Sequence, residues 1–329
     1  MEESLSAART ERREGIVREQ LQRPVASVEV LRSSLWNGQL SPALRAEVWK
    51  LLLSYAPAEK ARREQAISSK REEYYAAIDT LYVQEALDQD LIKDIAKDIP
   101  RTHPEIPLFR NEYFQRSMSR LLYVWSATHK ACGYVQSLNE ICSPLLSVLI
   151  RRYDPKMDEN EFEEIPEIVL KEVEADAYWC LSIILRKIQD FYLPHMPGVQ
   201  RCLNQVEELV RRIQPDLVVH IKSEGVDFHV FGVRWLSCMF LREFPFQLSL
   251  RVWDSFIAEE NGFARFSVYF AVALLTYWRE ELMARSFADV ILLLQNLPTH
   301  TWSEEQLMAV VSQAYQYKLL FEPSPNHLR

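Results

Sequence analysis

Residues 181–188 read LSIILRKI, and this stretch decides the class of fold. Its apolar residues fall at positions i, i+3, i+4 and i+7, a spacing that places all four on one face of a helix. They are Leu181, Ile184, Leu185 and Ile188. Residues 287–294, FADVILLL, repeat the spacing from Phe287 to Leu294, whereas sustained alternation of apolar and polar residues is scarce. The pattern predicts an all-α protein.

The composition supports a folded core and disfavours several classes of protein. The 329 residues are 48% apolar and 26% charged, an ordinary balance for a globular protein. Seven glycines occur, with neither GxGxxG nor GxxxxGKS/T, so nucleotide binding through either motif is not expected. A net charge of −8 disfavours a nucleic-acid binder. We therefore expect no nucleic-acid partner.

The sequence indicates no metal site, cofactor or catalytic nucleophile. Its five cysteines are widely spaced and include no CxxC pair, which disfavours a zinc ribbon or a disulfide framework and favours the reducing cytoplasm. The histidines form no HExxH, and no GxSxG elbow is present. The longest apolar stretch, residues 266–278, is too short to cross a bilayer. We therefore predict no transmembrane segment and only indirect contact with membranes.

Prolines divide the helical pattern into segments. Ser41 and Pro42 are typical of the N-cap and first residue of a helix. That helix would carry inward Leu44, Val48, Leu51 and Leu52. Residues 154–164 are predicted to form an acidic loop, and residues 1–30 a charged helix. For this N-terminal helix, docking on the domain, pairing with a partner and mobility all remain open.

Residues 95–104, IAKDIPRTHP, form the first of two segments that stand apart. A helix that ends here leaves Arg101 on an extended segment between Pro100 and Pro104, which suits an arginine presented to a partner. Asp98 lies three residues earlier, within range to orient the guanidinium through a charge-assisted bond. The alternative is an ordinary surface Arg–Asp pair at a helix end, which spacing alone favours.

The second segment is residues 133–139, GYVQSLN, within an apolar helical pattern that extends from residue 121 to 150. Gln136 and Asn139 in such a setting must be hydrogen-bonded or directed at a partner. Gly133 permits a close approach or a local irregularity of the helix. The alternative is a satisfied pair of buried amides at a helix kink, and spacing alone does not decide between them.

Together these segments resemble the paired motifs of TBC-domain GTPase-activating proteins for Rab-family GTPases. Ile95, Asp98 and Arg101 match the family's IxxDxxR motif, and Tyr134 and Gln136 match its YxQ motif. Further segments resemble the family in the same order, so that the resemblance spans residues 35–321. They are Leu44-Arg45, Val48–Lys50, Glu174–Cys180, Asp216-Leu217 with His220, Phe231–Trp235, Arg242–Pro245 and Arg251–Asp254.

The resemblance implies a two-lobed, all-α TBC domain of the short type that is little more than the domain itself. Residues 1–33 would form a charged helical extension, which could recruit an adaptor. Residues 34–175 would form the N-terminal lobe with both catalytic motifs, and residues 176–321 the C-terminal lobe. Residues 322–329 would be a flexible tail.

The resemblance also implies a function, namely acceleration of GTP hydrolysis by a Rab GTPase in its GTP-bound form. Arg101 would stabilise the charge of the transition state in trans, and Gln136 would position the attacking water in place of the GTPase's own glutamine. The supporting or GTPase-contacting residues would be Asp98, Tyr134, Ile95 and Asn139. The activator would need no cofactor, because the Mg²⁺ belongs to the GTPase.

One departure from the family's pattern keeps an alternative open. Ser137 stands where the family commonly has glycine after the catalytic glutamine, and Glu140 stands where aspartate is frequent. The side chain of Ser137 could tilt the Gln136 segment, which would affect the rate more than the fold. The alternative is a TBC-fold scaffold that binds a GTPase or an adaptor without accelerating hydrolysis. Either protein would be cytoplasmic, with peripheral attachment to endomembranes through its partners.

Overall fold

The computed structural model describes residues 2–84, 87–154 and 165–322. Over these residues the chain forms seventeen α-helices and no β-strand, which confirms the all-α prediction. The helices are α1 (Glu2–Gln22), α2 (Val28–Trp36), α3 (Pro42–Leu52), α4 (Lys60–Ile78), α5 (Gln89–Asp98), α6 (Pro107–Arg110), α7 (Glu112–Thr128), α8 (Leu138–Ile150), α9 (Glu167–Lys187), α10 (Pro197–Ile213), α11 (Pro215–Ser223), α12 (His229–Ser237), α13 (Phe246–Ala258), α14 (Ser267–Tyr277), α15 (Arg279–Met283), α16 (Phe287–Gln295) and α17 (Glu304–Phe321).

The chain divides into two compact units, Met1–Arg186 and Lys187–Arg329. The first unit ends at the C-terminal end of α9, so the predicted boundary between residues 175 and 176 lies inside a helix. The acidic loop predicted at 154–164 lies outside the described residues except for Asp154, and the predicted tail does so except for Glu322. The predicted domain boundaries therefore stay predictions.

The helix α3 begins as its sequence predicts. Ser41 is the N-cap residue, and Pro42 occupies the first turn, where its missing N–H costs no hydrogen bond. The four apolar residues that were predicted to face inward are buried, namely Leu44, Val48, Leu51 and Leu52. Burial of this face gives the helix its place in the core of the first unit.

The apolar spacing predicts the buried face of α9 better than that of α16. Leu181, Ile184 and Leu185 are fully buried on α9. On α16, Leu294 is also fully buried, but Phe287 remains 51% exposed. Phe287 is the first residue of α16, where helical periodicity does not yet determine which side chains meet the core.

The N-terminal helix α1 docks on the first unit. The side chain of Val17 is fully buried, and the carboxylate of Glu14 accepts a 2.7 Å hydrogen bond from the backbone N–H of Ser41. The guanidinium of Arg13 donates to the backbone carbonyls of Asn37 and Gln39 at 3.3 and 2.9 Å. Docking is therefore the arrangement of this helix, among the three that its sequence leaves open.

A buried carboxylate on α9 links three helices of the first unit. Glu174 has no exposed side-chain surface. It accepts hydrogen bonds of 2.7 Å from the hydroxyl of Tyr74, the hydroxyl of Ser117 and Nε of Arg120. Burial raises the pKa of Tyr74 well above its usual value, and the nearby Glu174 adds to the effect, so the phenol remains a donor. The cluster joins α4, α7 and α9.

A second carboxylate lies two residues further along α9. Asp176 accepts hydrogen bonds from the hydroxyl of Tyr55 at 2.6 Å and from Nε and Nη2 of Arg71 at 2.7 and 2.9 Å. The nearby ammonium of Lys50 lies 3.8 Å from the same carboxylate. Such paired and hydrogen-bonded charges are the form in which ionic groups are tolerated inside a protein.

The second unit has an aromatic core with satisfied indole groups. Trp235 and Trp253 are 1% and 0% exposed. Their Nε1 atoms each donate a 3.2 Å hydrogen bond, to the carbonyls of Leu294 and Met239 respectively. These bonds offset the cost of burying the indole N–H.

Candidate functional site

Arg101 ends a tight turn that follows helix α5. The helix ends at Asp98, and a 3₁₀ turn covers residues 99–101. A 3.1 Å hydrogen bond from the backbone N–H of Thr102 to the carbonyl of Ile99 closes this turn. The prediction that Arg101 lies on an extended segment was therefore wrong, because the turn bond holds the residues around Pro100 in a helical conformation.

The Arg101 side chain is exposed. Over the described parts of the chain, it forms no hydrogen bond and no ion pair. An exposed guanidinium with its five donors unused in the isolated protein can be directed at a phosphate group of a partner.

Asp98 contacts Tyr134 rather than Arg101. Its side chain is largely buried, and its Oδ2 accepts a 2.8 Å hydrogen bond from the hydroxyl of Tyr134. Burial and this hydrogen bond to the carboxylate raise the pKa of Tyr134 above its usual value, which keeps the hydroxyl protonated. The direct bond predicted between Asp98 and Arg101 is absent among the described residues, because the carboxylate is buried while the guanidinium is in solvent.

Gln136 lies in a loop rather than inside a helix. Helix α7 ends at Thr128 and α8 begins at Leu138, so the apolar pattern over residues 121–150 belongs to two helices. Gly133 adopts a φ of 62°, a conformation that glycine accepts without steric cost. The Gln136 side chain is exposed and forms no hydrogen bond with any described residue.

Asn139 connects the two loops from inside the protein. It is 4% exposed, and its Nδ2 donates a 2.8 Å hydrogen bond to Oγ1 of Thr102. Thr102 is itself buried and donates at 3.1 Å to the backbone carbonyl of Asp98. The Asn139–Thr102 and Tyr134–Asp98 bonds therefore hold the Arg101 and Gln136 segments side by side.

Two further residues near Arg101 in the sequence, Ile95 and Thr102, are buried. Ile95 is 1% exposed, so it supports the site by packing and not by touching a partner. Sequence reasoning missed Thr102, although its place directly after Arg101 could have indicated it as the partner of a buried polar group.

Ser137 carries a strained backbone directly after Gln136. Its φ of 108° and ψ of −18° lie in a region that favours glycine. The residue is 5% exposed, and its Oγ is buried with no hydrogen-bond partner in the described part of the molecule. A left-handed residue and an unsatisfied hydroxyl each cost about 1 kcal/mol or more. The backbone is thus strained directly beside Gln136, one of the two exposed polar residues of the site.

Two negative findings apply to the residues that the structure describes. No cluster of three or more histidine, cysteine, aspartate or glutamate side chains is arranged to hold a metal ion. In the same residues, no helix combines the length and the apolar character that crossing a bilayer requires.

The order and spacing of these features match a known domain. A sequence model of the Rab-GTPase-TBC domain matches residues 42–283, most of the chain. The chain belongs to the Rab-GTPase-TBC domain family. Both exposed residues, Arg101 and Gln136, lie within the matched range of this TBC domain.

Relatives in other organisms match most of the chain. The chain is 38% identical to the GTPase-activating protein gyp1 of Schizosaccharomyces pombe, over 94% of its own length and 61% of the relative's. It is 36% identical to human TBC1 domain family member 22B, over 92% of its length and 60% of the relative's. The chain thus spans about three fifths of the length of these relatives.

Two solved structures have the same fold as this chain. The crystal structure of the Ypt/Rab-GAP domain of Gyp1p superposes with a TM-score of 0.89 at 33% identity, and covers 94% of this chain and 99% of that one. The TBC domain of a Chlamydomonas flagellar RabGAP superposes with a TM-score of 0.66 at 18% identity, over 95% of this chain and 92% of that one, and supports the fold alone. The expected two-lobed TBC fold is confirmed.

Proposed function

We propose that this chain is a GTPase-activating protein that accelerates GTP hydrolysis by a Rab-family GTPase. The observation that carries the proposal is the pair of exposed, unpartnered side chains of Arg101 and Gln136, on two loops joined by buried hydrogen bonds. The fission-yeast relative is named a GTPase-activating protein, which supports the same function.

Arg101 acts on the transferring phosphoryl group. Charge builds up on the oxygens of this group in the transition state, and a slow GTPase lacks the donors to stabilise it. The planar guanidinium offers a fork of N–H donors that spans two phosphate oxygens, which the ammonium of a lysine does not reproduce. Because Arg101 has no partner in the described protein, no bond must be broken before it enters the GTPase.

Gln136 positions the attacking water. Its amide provides both a donor and an acceptor, so that it can orient a water molecule. Supplied in trans, this amide does the work of the GTPase's own glutamine. The Mg²⁺ and the nucleotide belong to the GTP-bound partner, and this chain contributes neither.

The buried contacts keep the two active groups in a fixed relation. Tyr134 and Asp98 connect the Gln136 loop to the end of α5, and Asn139 connects the start of α8 to Thr102. Such preorganisation lowers the conformational entropy that must be lost when Arg101 reaches the phosphoryl group and Gln136 reaches the attacking water. Any membrane location would follow from the partner or from an adaptor bound to residues 1–33.

One observation favours a second candidate function. The strained Ser137 next to Gln136 could hold the amide away from the water position, which would leave a TBC-fold scaffold that binds a GTPase without accelerating hydrolysis. Such a scaffold would still bind the GTP-bound partner, and substitution of Arg101 would leave its role intact.

Single-turnover GTP hydrolysis over a panel of purified Rab proteins separates the two functions. An activator increases the rate for one or a few of them, and Arg101→Ala lowers this acceleration by roughly 10³–10⁵-fold while binding changes far less. Arg101→Lys behaves almost as Arg101→Ala, because it lacks the planar fork. Binding without acceleration of any Rab would instead support the scaffold.

A further inference from the structure

A histidine lies between the two loops of the site. His103 follows Arg101 by two residues, and its side chain is 9% exposed. Its ring packs near that of Phe109, with 5.6 Å between the ring centroids. The motifs that define the site do not include this residue.

The imidazole of His103 faces a carboxylate on each side. Its Nδ1 lies 3.3 Å from Oε1 of Glu105, which belongs to the same loop and is 66% exposed. Its Nε2 lies 3.2 Å from Oε2 of Glu140, whose side chain is 13% exposed. The second approach is a close contact between the two side chains and not a well-aligned hydrogen bond, because the ring nitrogen lacks hydrogen-bond geometry towards this oxygen.

The contact with Glu140 joins the same two segments as the other buried links. Glu140 lies in the first turn of α8, four residues after Gln136. His103 adopts a φ of 42°, and its carbonyl accepts a 2.9 Å hydrogen bond from the backbone N–H of Ile106. A non-glycine residue in this conformation costs about 1 kcal/mol or more and persists where the surroundings determine it. The turn thereby holds the imidazole against Glu140.

We propose that His103 is a positioning residue, which couples the Arg101 segment to the Gln136 segment through Glu140. This inference rests on the proposed function, because the coupling matters only if Arg101 and Gln136 act together in one hydrolysis reaction. The imidazole and carboxylate form a third link beside the Tyr134–Asp98 and Asn139–Thr102 bonds. Loss of the link lets the guanidinium and the amide move relative to each other, which lowers the maximal rate and leaves the contact with the GTPase nearly unchanged.

A double-mutant cycle on a Rab that responds to the wild-type chain tests the coupling. The variants are His103→Ala, Glu140→Ala and the combination, and Glu105→Ala is the matched control on the other side of the ring. The single-turnover rate is measured against activator concentration, which separates the maximal rate from the half-saturating concentration. Glu140→Ala is included because it leaves the strained backbone of His103 in place.

The coupling predicts a specific pattern. Each single variant of the pair lowers the maximal rate about 10-fold, with a half-saturating concentration within about twofold of wild type. The maximal rate of the double variant lies within about twofold of that of the slower single variant, because the two substitutions remove the same link. Glu105→Ala retains the wild-type rate within about twofold, since in the described part of the chain the Glu105 carboxylate pairs with His103 and with no residue of α8.

Three results would overturn the proposal. In the first, the fold-losses in maximal rate of the two single variants multiply in the double variant. In the second, Glu105→Ala lowers the maximal rate as much as His103→Ala does. In the third, both single variants keep the wild-type maximal rate. Arg101→Ala in the same assay identifies failure of the underlying function. If wild type accelerates no Rab, or Arg101→Ala stays active, the proposed function fails and this inference falls with it. If Arg101→Ala is inactive and the His103 pair shows no coupling, this inference alone fails.

Discussion

At the scale of single residues, Ser137 combines an unfavourable backbone conformation with a buried, unsatisfied hydroxyl. Ser137→Gly is expected to raise the free energy of unfolding by about 1 kcal/mol, because glycine adopts this φ freely and removes the hydroxyl, and these gains exceed the added backbone entropy of glycine in the unfolded chain. Urea unfolding monitored by helical circular dichroism measures the change. The same variant should accelerate hydrolysis at least as well as wild type.

Ser54 provides a matched control for this prediction. It also has a positive φ, 63°, but its side chain is exposed and lies at the end of α3. Ser54→Gly should relieve backbone strain and leave the rate of GTP hydrolysis unchanged. A loss of stability in Ser137→Gly would show that the serine side chain contributes a favourable contact, contrary to the account.

Tyr134 is expected to support the site through its hydroxyl. Tyr134→Phe removes the hydrogen bond to the buried Asp98, which should lower the free energy of unfolding by about 1–3 kcal/mol. It should also lower the maximal rate of hydrolysis, because the Gln136 loop loses one of its links. Tyr75→Phe removes a phenol hydrogen bond to the exposed carbonyl of Lys171 and serves as the control. A full rate in Tyr134→Phe would contradict the supporting role.

The sequence singles out Arg101 and Gln136 as candidate site residues, but it does not predict the contacts of the residues around them. The spacing of Arg101 and Gln136 resembles the family's motifs, and the structure exposes both side chains on neighbouring loops. Asp98 was expected to bond Arg101, but it bonds Tyr134, thirty-six positions further along. A sequence shows which groups are near each other along the chain, whereas hydrogen bonds between loops depend on the packing of α5, α7 and α8.

At the scale of elements, the position of α9 depends on its buried carboxylates. Glu174→Ala leaves the guanidinium of Arg120 without its main partner, which should lower the free energy of unfolding by about 3–5 kcal/mol. Glu172→Ala is the matched control two residues away, because its 2.8 Å ion pair with Arg71 is partly exposed. That pair should contribute no more than about 1 kcal/mol.

Thermal and urea unfolding of the two α9 variants measure this contrast. Equal losses of stability would show that burial does not distinguish the two carboxylates. A Glu174→Ala protein as stable as wild type would contradict the assignment of this residue as the link between α4, α7 and α9.

Helix periodicity predicts the interiors of these elements and fails at their ends. It identifies the buried face of α9, yet it joins α7 and α8 into one pattern over residues 121–150. The break between them includes Gly133 at a φ of 62° and the strained Ser137. Neither conformation follows from apolar spacing, because local hydrogen bonds and tertiary contacts determine where a helix ends.

At the scale of the whole molecule, the first compact unit contains all the residues of the proposed mechanism. Arg101 and Gln136 lie within Met1–Arg186, as does the N-terminal helix α1 that docks by Glu14 and Val17. The resemblance places this domain in a family of GTPase regulators, and the matched range 42–283 supports that placement. In the proposed function, the choice of Rab depends on the shape and charge of the surface around the two loops, which the motifs do not determine.

The role of Gln136 in trans is tested with a responding Rab whose own catalytic glutamine is replaced by alanine. Single-turnover hydrolysis by this Rab is compared with wild type, Gln136→Ala and Arg101→Ala as activators. We expect that wild type still accelerates hydrolysis, because Gln136 comes from this chain, and that both variants nearly abolish the effect. Complete loss of acceleration by wild type, with binding of the GTP-bound Rab intact, would contradict the claim that Gln136 positions the water.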